Sequence, residues 1–144
     1  QLDAAGMKQF VGGRQVFLSY CAGCHGTDGM GMKRFAPPLA GSEWVLGDPE
    51  RLALILLHGL EGAIEVKGKV YDAPDILPVM PSHATLSLPD MANVLTYIRN
   101  EWGNSAESIS PRTIGMLRLT TQGKVVPWTP NELNEKIAER DNQK

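Results

Sequence analysis

An all-α fold with one small β-hairpin is what this sequence predicts, on three observations. Four helix starts share one chemistry, a capping Asp, Ser or Thr with proline just behind it: Asp48-Pro49-Glu50, Ser87-Leu88-Pro89-Asp90, Ser110-Pro111 and Thr129-Pro130-Asn131-Glu132. Apolar residues recur at helical spacing, most plainly at Met91, Val94, Leu95 and Ile98. Strand-like alternation is confined to one short stretch, residues 64–71.

The elements follow in order. Lys8 to Tyr20 reads as the first helix, with Phe10, Val11, Val16, Phe17 and Tyr20 at spacings that share a face. Gly12 and Gly13 each cost such a helix about 1 kcal/mol. A glycine inside a helix marks the close approach of another element. Gly13, Phe17 and Cys21 form a ladder in steps of four, leading either into a site or into ordinary core. Residues 26–40, with Gly26, Gly29, Gly31, Pro37 and Pro38, form a loop.

Asp48 caps a helix that runs to His58 and stops at Gly59. His58, at that end, is expected to be exposed or to serve the helix dipole rather than bind a metal. Ile64-Glu65-Val66, Lys67-Gly68 and Lys69-Val70-Tyr71 form the hairpin. The prolines of Ile76-Leu77-Pro78-Val79-Met80-Pro81 hold that segment extended. Ser87 opens the helix that ends at Trp102-Gly103-Asn104, with Asp90 spaced as a capping box. Beyond it lie a polar linker to Ser110, a short helix to about Thr121, a turn at Gln122-Gly123 and a last helix from Thr129. The charged residues Glu135 to Lys144 are expected to fray.

Length and composition bound the rest. The chain of 144 residues suits one domain, residues 1–104, with a helical extension, residues 105–144, that packs on the core or on a partner. Apolar residues make up 42%, but aromatics only 6%, so a buried prosthetic group would supply missing bulk. A net charge of -2 gives no electrostatic basis for binding nucleic acid or an anionic membrane. The longest apolar run, Leu52 to Leu57, is far short of the roughly 18 residues of a spanning helix. The start at Gln1 is expected to reflect a mature form after cleavage, or a piece of a longer chain.

The chemistry lies in Cys21-Ala22-Gly23-Cys24-His25, which holds the chain's two cysteines. C-x-x-C-H is the attachment signal of a c-type haem. Each thiol adds across a vinyl group to form a thioether, and the adjacent His25 binds the iron from one face. Two other readings exist, a dithiol redox centre and half a zinc site. Zinc needs two more soft ligands, with only His58 and His83 left as further histidines. A thioredoxin-like dithiol needs a βαβ pattern, which is missing. Neither accounts for the histidine directly after the second cysteine.

Met80, between prolines and 55 residues after His25, is the candidate for the opposite face of the iron. His83 is its rival, and a buried core methionine is the alternative. Met30 and Met32 lie too close to His25 in sequence for that role. A ligating histidine donates its other ring N–H to a carbonyl or carboxylate. The Pro38-Leu39 loop is expected to present one. Haem attachment takes place outside the bacterial cytoplasmic membrane, so a periplasmic or otherwise exported location is expected.

From Lys8 to Gly103 the chain resembles a class I cytochrome c domain. The motifs are Gly13…Phe17…Cys21-x-x-Cys24-His25, Ala36-Pro37-Pro38-Leu39, Val79-Met80-Pro81 and Ala92 through Asn100. The resemblance implies about three core helices around one haem c, covalently bound through Cys21 and Cys24, with His25 and Met80 as axial ligands. It implies that Gly13 and Phe17 pack against Val94 and Tyr97, and that the Pro38 carbonyl accepts from His25. Trp44 falls where such domains place a polar aromatic beside a haem propionate. The stretches 41–45 and 97–103 are similar to haem domains that are fused to, or work beside, bacterial quinoprotein dehydrogenases of sugars and alcohols.

Function follows as an expectation. An iron filled on both faces has no vacant position for substrate, so the leading reading is a one-electron carrier and not an enzyme. Such a carrier passes electrons from a dehydrogenase to a cytochrome or oxidase in small, transient contacts. The chain acts as a monomer or as a domain of a larger one. The rivals are the electron-accepting module of a larger dehydrogenase, and a gas- or peroxide-binding haem site in which Met80 is labile.

Overall fold

The computed structural model describes residues 2–143; Gln1 and Lys144 lie outside the described residues. Among the described residues there are seven helices: α1 (Ala4–Tyr20), α2 (Ala22–His25), α3 (Glu43–Leu46), α4 (Pro49–His58), α5 (Leu88–Ile98), α6 (Pro111–Thr120) and α7 (Pro130–Asn142). Four short strands form two antiparallel pairs. β1 (Leu60–Glu61) pairs with β4 (Val79–Met80), and β2 (Ile64–Val66) pairs with β3 (Lys69–Tyr71) as the expected hairpin.

α1 starts four residues before the expected Lys8 because Asp3 caps it, its Oδ1 accepting from the Gly6 N–H at 2.8 Å. The helix crosses α5 at Gly13. A Cβ at Gly13 would lie 2.0 Å from the Asn93 carbonyl oxygen and 2.6 Å from the Tyr97 Cβ, so only glycine permits this approach. Phe17 is fully buried below the crossing, 5.5 Å from the Tyr97 ring and 5.2 Å from the Trp102 ring. Val11 and Tyr20, expected on the inner face, are mostly exposed. The inner stripe runs through Phe10, Gly13 and Phe17, and Val11 lies about 100° away from Phe10 around the helix.

All six residues Leu52–Leu57 of α4 are buried. A helix apolar on every side must be covered on every side. α5 packs on α4 from the core, and α6 and α7 cover it from the other direction. Ile109, Ile114 and Leu133 bring the segment after Asn104 into the apolar core. Arg99, 2% exposed, ties that segment in. Its guanidinium donates to the carbonyls of Val45, Gly47 and Glu107 at 2.8–3.1 Å. A buried charge met by three carbonyls avoids most of the penalty of an unpaired one.

α7 does not fray as expected. It holds to Asn142 because Thr129 and Glu132 complete a reciprocal capping box at its start, and Arg140 pairs with the start of α4 near its end. Arg140 pairs with Asp48 at 2.6 Å and with Glu50 at 3.2 Å. Asp48 also caps α4, accepting from the N–H groups of Glu50 and Arg51. His58 likewise departs from its expected role as an exposed or capping cation. It is half-buried with Nε2 2.7 Å from the Thr121 hydroxyl, and burial, with Lys124 nearby, lowers its pKa.

Two tests follow from these contacts. Gly13→Ala gains about 1 kcal/mol of helix propensity but forces a backbone carbonyl to move, at a cost of about 3 kcal/mol. A net loss of about 2 kcal/mol in denaturant unfolding is expected. Gly12→Ala is expected to be near neutral, because its Cβ meets only the end of the Asn93 side chain. The second test concerns pH. Burial raises the Asp48 carboxyl, but the Arg140 guanidinium and the two capping N–H groups outweigh it and hold the carboxyl below its usual range. A carboxyl depressed in the folded state stabilises above its unfolded pKa of about 3.9 and loses that contribution as pH falls through the lower folded value. Arg140→Leu is therefore expected to cost about 1 kcal/mol at neutral pH. The gap to the unmutated protein should close in acid, as measured by unfolding across pH.

Candidate haem site

α1 runs directly into the C-x-x-C-H stretch. Cys21 ends α1, its N–H donating to the Phe17 carbonyl at 2.9 Å, and its own carbonyl accepts from Cys24 and His25 at 3.2 and 3.0 Å. The motif is thus wound into one helical turn. Positions 21, 24 and 25 stand at i, i+3 and i+4, which share a face. Gly26, at φ +76°, stops the turn. Gly29, at φ +70°, passes beneath Trp102, whose ring a Cβ would strike at 2.3 Å. The Trp102 indole N–H donates to the Thr27 carbonyl at 2.9 Å and pins this loop to the end of α5.

Cys21, Cys24 and His25 form part of the lining of an apolar cleft with an empty volume of about 1270 Å³. Leu52, Ile55 and Leu56 of α4 and Val94, Leu95 and Ile98 of α5 line its depths. Pro37, Pro38 and Leu39 line it from the loop, and Leu77 to Pro81 from the segment that carries Met80. Every residue expected at the site therefore borders one cleft: Cys21, Cys24, His25, Pro38, Trp44 and Met80. His83 borders it as well, whereas Met30 and Met32 lie exposed elsewhere.

Both cysteines are free and half-buried. Burial, with Cys24 adding to it, pushes the Cys21 thiol up to about 11. Burial pushes the His25 imidazole down to about 4. The Pro37 carbonyl acts in the opposite sense, and His83 adds to the fall. The ring is thus neutral at ordinary pH, the form that binds a metal. His25 Nδ1 is buried with no hydrogen-bond partner in good geometry.

The Pro37 carbonyl is near enough to act on the His25 ring, and Pro38, the expected acceptor, borders the same cleft. Trp44, 9% exposed, borders the cleft, but its indole N–H already donates to the Glu65 carbonyl at 2.9 Å. That bond ties α3 to the hairpin, and the Arg51 guanidinium stacks on the ring at 4.1 Å.

Met80 is held by backbone pairing. Leu60 stands opposite Met80, and Glu61 opposite Val79. Ser82 Oγ donates to the Leu57 carbonyl at 2.6 Å and the His83 N–H to that of Leu56 at 2.9 Å. Gly59, at φ +84°, lies so near the Met80 carbonyl that a Cβ would come within 2.5 Å of it. Sequence reasoning read Gly59 as a helix stop and Trp102 as a helix end. Their tertiary partners, Met80 and Gly29, were out of reach, although the glycines themselves were signals.

The apolar cleft and the turn that sets two thiols and an imidazole on one face fit a covalently attached haem. Among the described residues, no group of three or more His, Cys, Asp or Glu is placed to hold a metal ion, so the zinc reading lacks its further ligands. Nor is any described helix long and apolar enough to cross a membrane.

Comparison with known proteins agrees with the geometry. A profile of the cytochrome c family matches residues 10–102. Cytochrome c-552 of Thermus thermophilus is 37% identical over 113 residues, covering 74% of this chain and 82% of the relative. The cytochrome c subunit of a quinone alcohol dehydrogenase from Gluconobacter oxydans is 36% identical over 110 residues, 75% of this chain but 22% of the subunit. The gluconate 2-dehydrogenase cytochrome c subunit of Pantoea cypripedii is 28% identical over 107 residues, 74% of this chain and 24% of the subunit. The chain belongs to the cytochrome c family, whose members are electron carriers and not enzymes.

Proposed function

We propose that this chain is a one-electron carrier bearing a single haem c attached through Cys21 and Cys24, with His25 and Met80 as its axial ligands. The observation that carries the reading is that one apolar cleft is bordered by the C-x-x-C-H turn and by a methionine held in a paired strand. When bound, the haem supplies the reversible one-electron couple, and thioether ligation raises its potential. The chain's residues do the rest. α4 and α5 exclude water from the cleft, which raises the cost of ionic charge inside it. Neutral His25 presents a lone pair, with the Pro37 carbonyl as acceptor for its other nitrogen. The strand pairing at Leu60 brings Met80 to the cleft.

Around the mouth, Tyr20, Phe35, Leu77 and Val79 border the cleft and are each 39–59% exposed. An uncharged rim of this size suits the small, short-lived contact of a redox partner. The proposed route runs from a periplasmic dehydrogenase to a downstream cytochrome or oxidase, with the chain exported. We read residues 1–104 as the haem-binding domain and residues 105–144 as an extension to it. A second reading, the electron-accepting module of a larger dehydrogenase, draws on the similarity to dehydrogenase subunits of which the chain spans about a fifth. The match over most of cytochrome c-552 favours the free carrier, which we take to be a monomer.

Three measurements test this. The red pigment should stay with the chain in acidic organic solvent, and its release would end the covalent reading. Met80→Ala should abolish the weak red sulfur-to-iron charge-transfer band of the ferric protein and lower the midpoint potential, whereas His83→Ala should leave both in place. Reduced unmutated protein should bind carbon monoxide slowly and weakly, and Met80→Ala rapidly.

A further inference from the structure

The pairing that presents Met80 is itself held from behind by the C-terminal segment, beyond the residues 10–102 that match the family. β1 meets β4 on one edge. On its other edge the Trp128 N–H donates to the Gly59 carbonyl at 3.1 Å, and the Glu61 N–H donates to the Trp128 carbonyl at 2.8 Å. Leu60 thus forms a parallel bridge with Trp128 while standing opposite Met80. The result is three strands wide, with residues 59–61 in the middle.

Side chains close the same junction. The Trp128 ring, 8% exposed, stands edge-on to His58 at 5.9 Å, and Lys124 and Lys136 lie over it at 4.4 and 5.9 Å. The Thr121 hydroxyl donates its one proton to the Leu117 carbonyl at 2.7 Å. It therefore accepts from His58, whose Nε2 carries the hydrogen. The last residue of α4 and the first of β1 are clamped to the extension by ring and main chain together.

The physical consequence concerns register. A ladder of two residues is marginal alone, and a slip of one residue turns every side chain to the other face. For β4 that slip would put Val79 in place of Met80 opposite Leu60. Saturating the outer edge of β1 fixes the strand against which β4 takes its register. We propose that Trp128 is a positioning residue for the sulfur ligand, acting through β1 to keep Met80 in register; this rests on Met80 being the axial ligand. The Trp128 indole N–H is buried without an acceptor, so the ring serves by packing and a phenylalanine ring should replace it.

The test uses the full-length haem protein and its Trp128→Ala, Trp128→Phe and Ile114→Ala variants. Ile114 is fully buried in α6, in the same extension but outside the three-stranded pairing, and controls for general destabilisation. Imidazole is titrated against the sulfur-to-iron band of the ferric protein, and hydrogen exchange is followed at Met80, whose amide faces Leu60. Trp128→Ala should lower the imidazole concentration at half-displacement about tenfold and speed exchange at that amide. Trp128→Phe and Ile114→Ala should stay within about twofold of the unmutated protein, even where Ile114→Ala lowers global stability as much. If the band is present and Trp128→Ala and Ile114→Ala shift it equally, Trp128 is merely structural and the proposal falls. If the unmutated protein lacks the band, the ligand assignment itself is wrong, and the positioning role goes with it.

Discussion

The contact of α1 with α5 at Gly13 sets the geometry of this molecule. Two backbones come close enough there that no side chain, however small, can stand between them. The crossing brings Phe17, Tyr97 and Trp102 into one aromatic cluster. It also aims the C-terminal end of α1 at the cleft, so the helical turn of Cys21, Cys24 and His25 arrives there as a continuation of a packed helix rather than as a free loop. Attachment chemistry needs both thiols and the imidazole on one side, and a rigid approach supplies that without further ordering cost.

The opposite wall is built differently. The Met80 segment is extended and short, and it owes its position to the end of α4, through the carbonyls of Leu56 and Leu57 and the strand that follows Gly59. α4 is buried on all sides because the segment after Asn104 covers the face that the core leaves open. One wall of the cleft is thus part of the central helix crossing, and the other is tied through α4 and β1 to residues far along the chain. In the function proposed above, the neutral, half-buried His25 and the strand-held Met80 each offer an uncharged donor without placing a charge in an apolar space.

Much of this was legible in the residues. Caps at Asp48, Ser87, Ser110 and Thr129 start their helices where expected, because a cap is a local bond between a side chain and an N–H two or three residues on. The hairpin formed for the same reason. The early start of α1 at Asp3 was missed, since no apolar periodicity accompanies that cap. Arg99 gave no signal at all, as an arginine is ordinarily exposed, and its three carbonyl partners come from the end of α3 and from the linker after Asn104.

The sequence by itself determined the helices, the hairpin, the paired thiols with their adjacent imidazole, and the glycine at which two helices must meet. These depend on neighbours within a few positions, or on a residue type that admits only one conformation. The tertiary structure alone decided that Trp44 uses its N–H on the hairpin, that α7 holds to Asn142, and that Trp128 backs the strand opposite Met80. Each of these is a choice among equivalent carbonyls, donors or strand edges. Such choices depend on distance in space, which no spacing along the chain encodes.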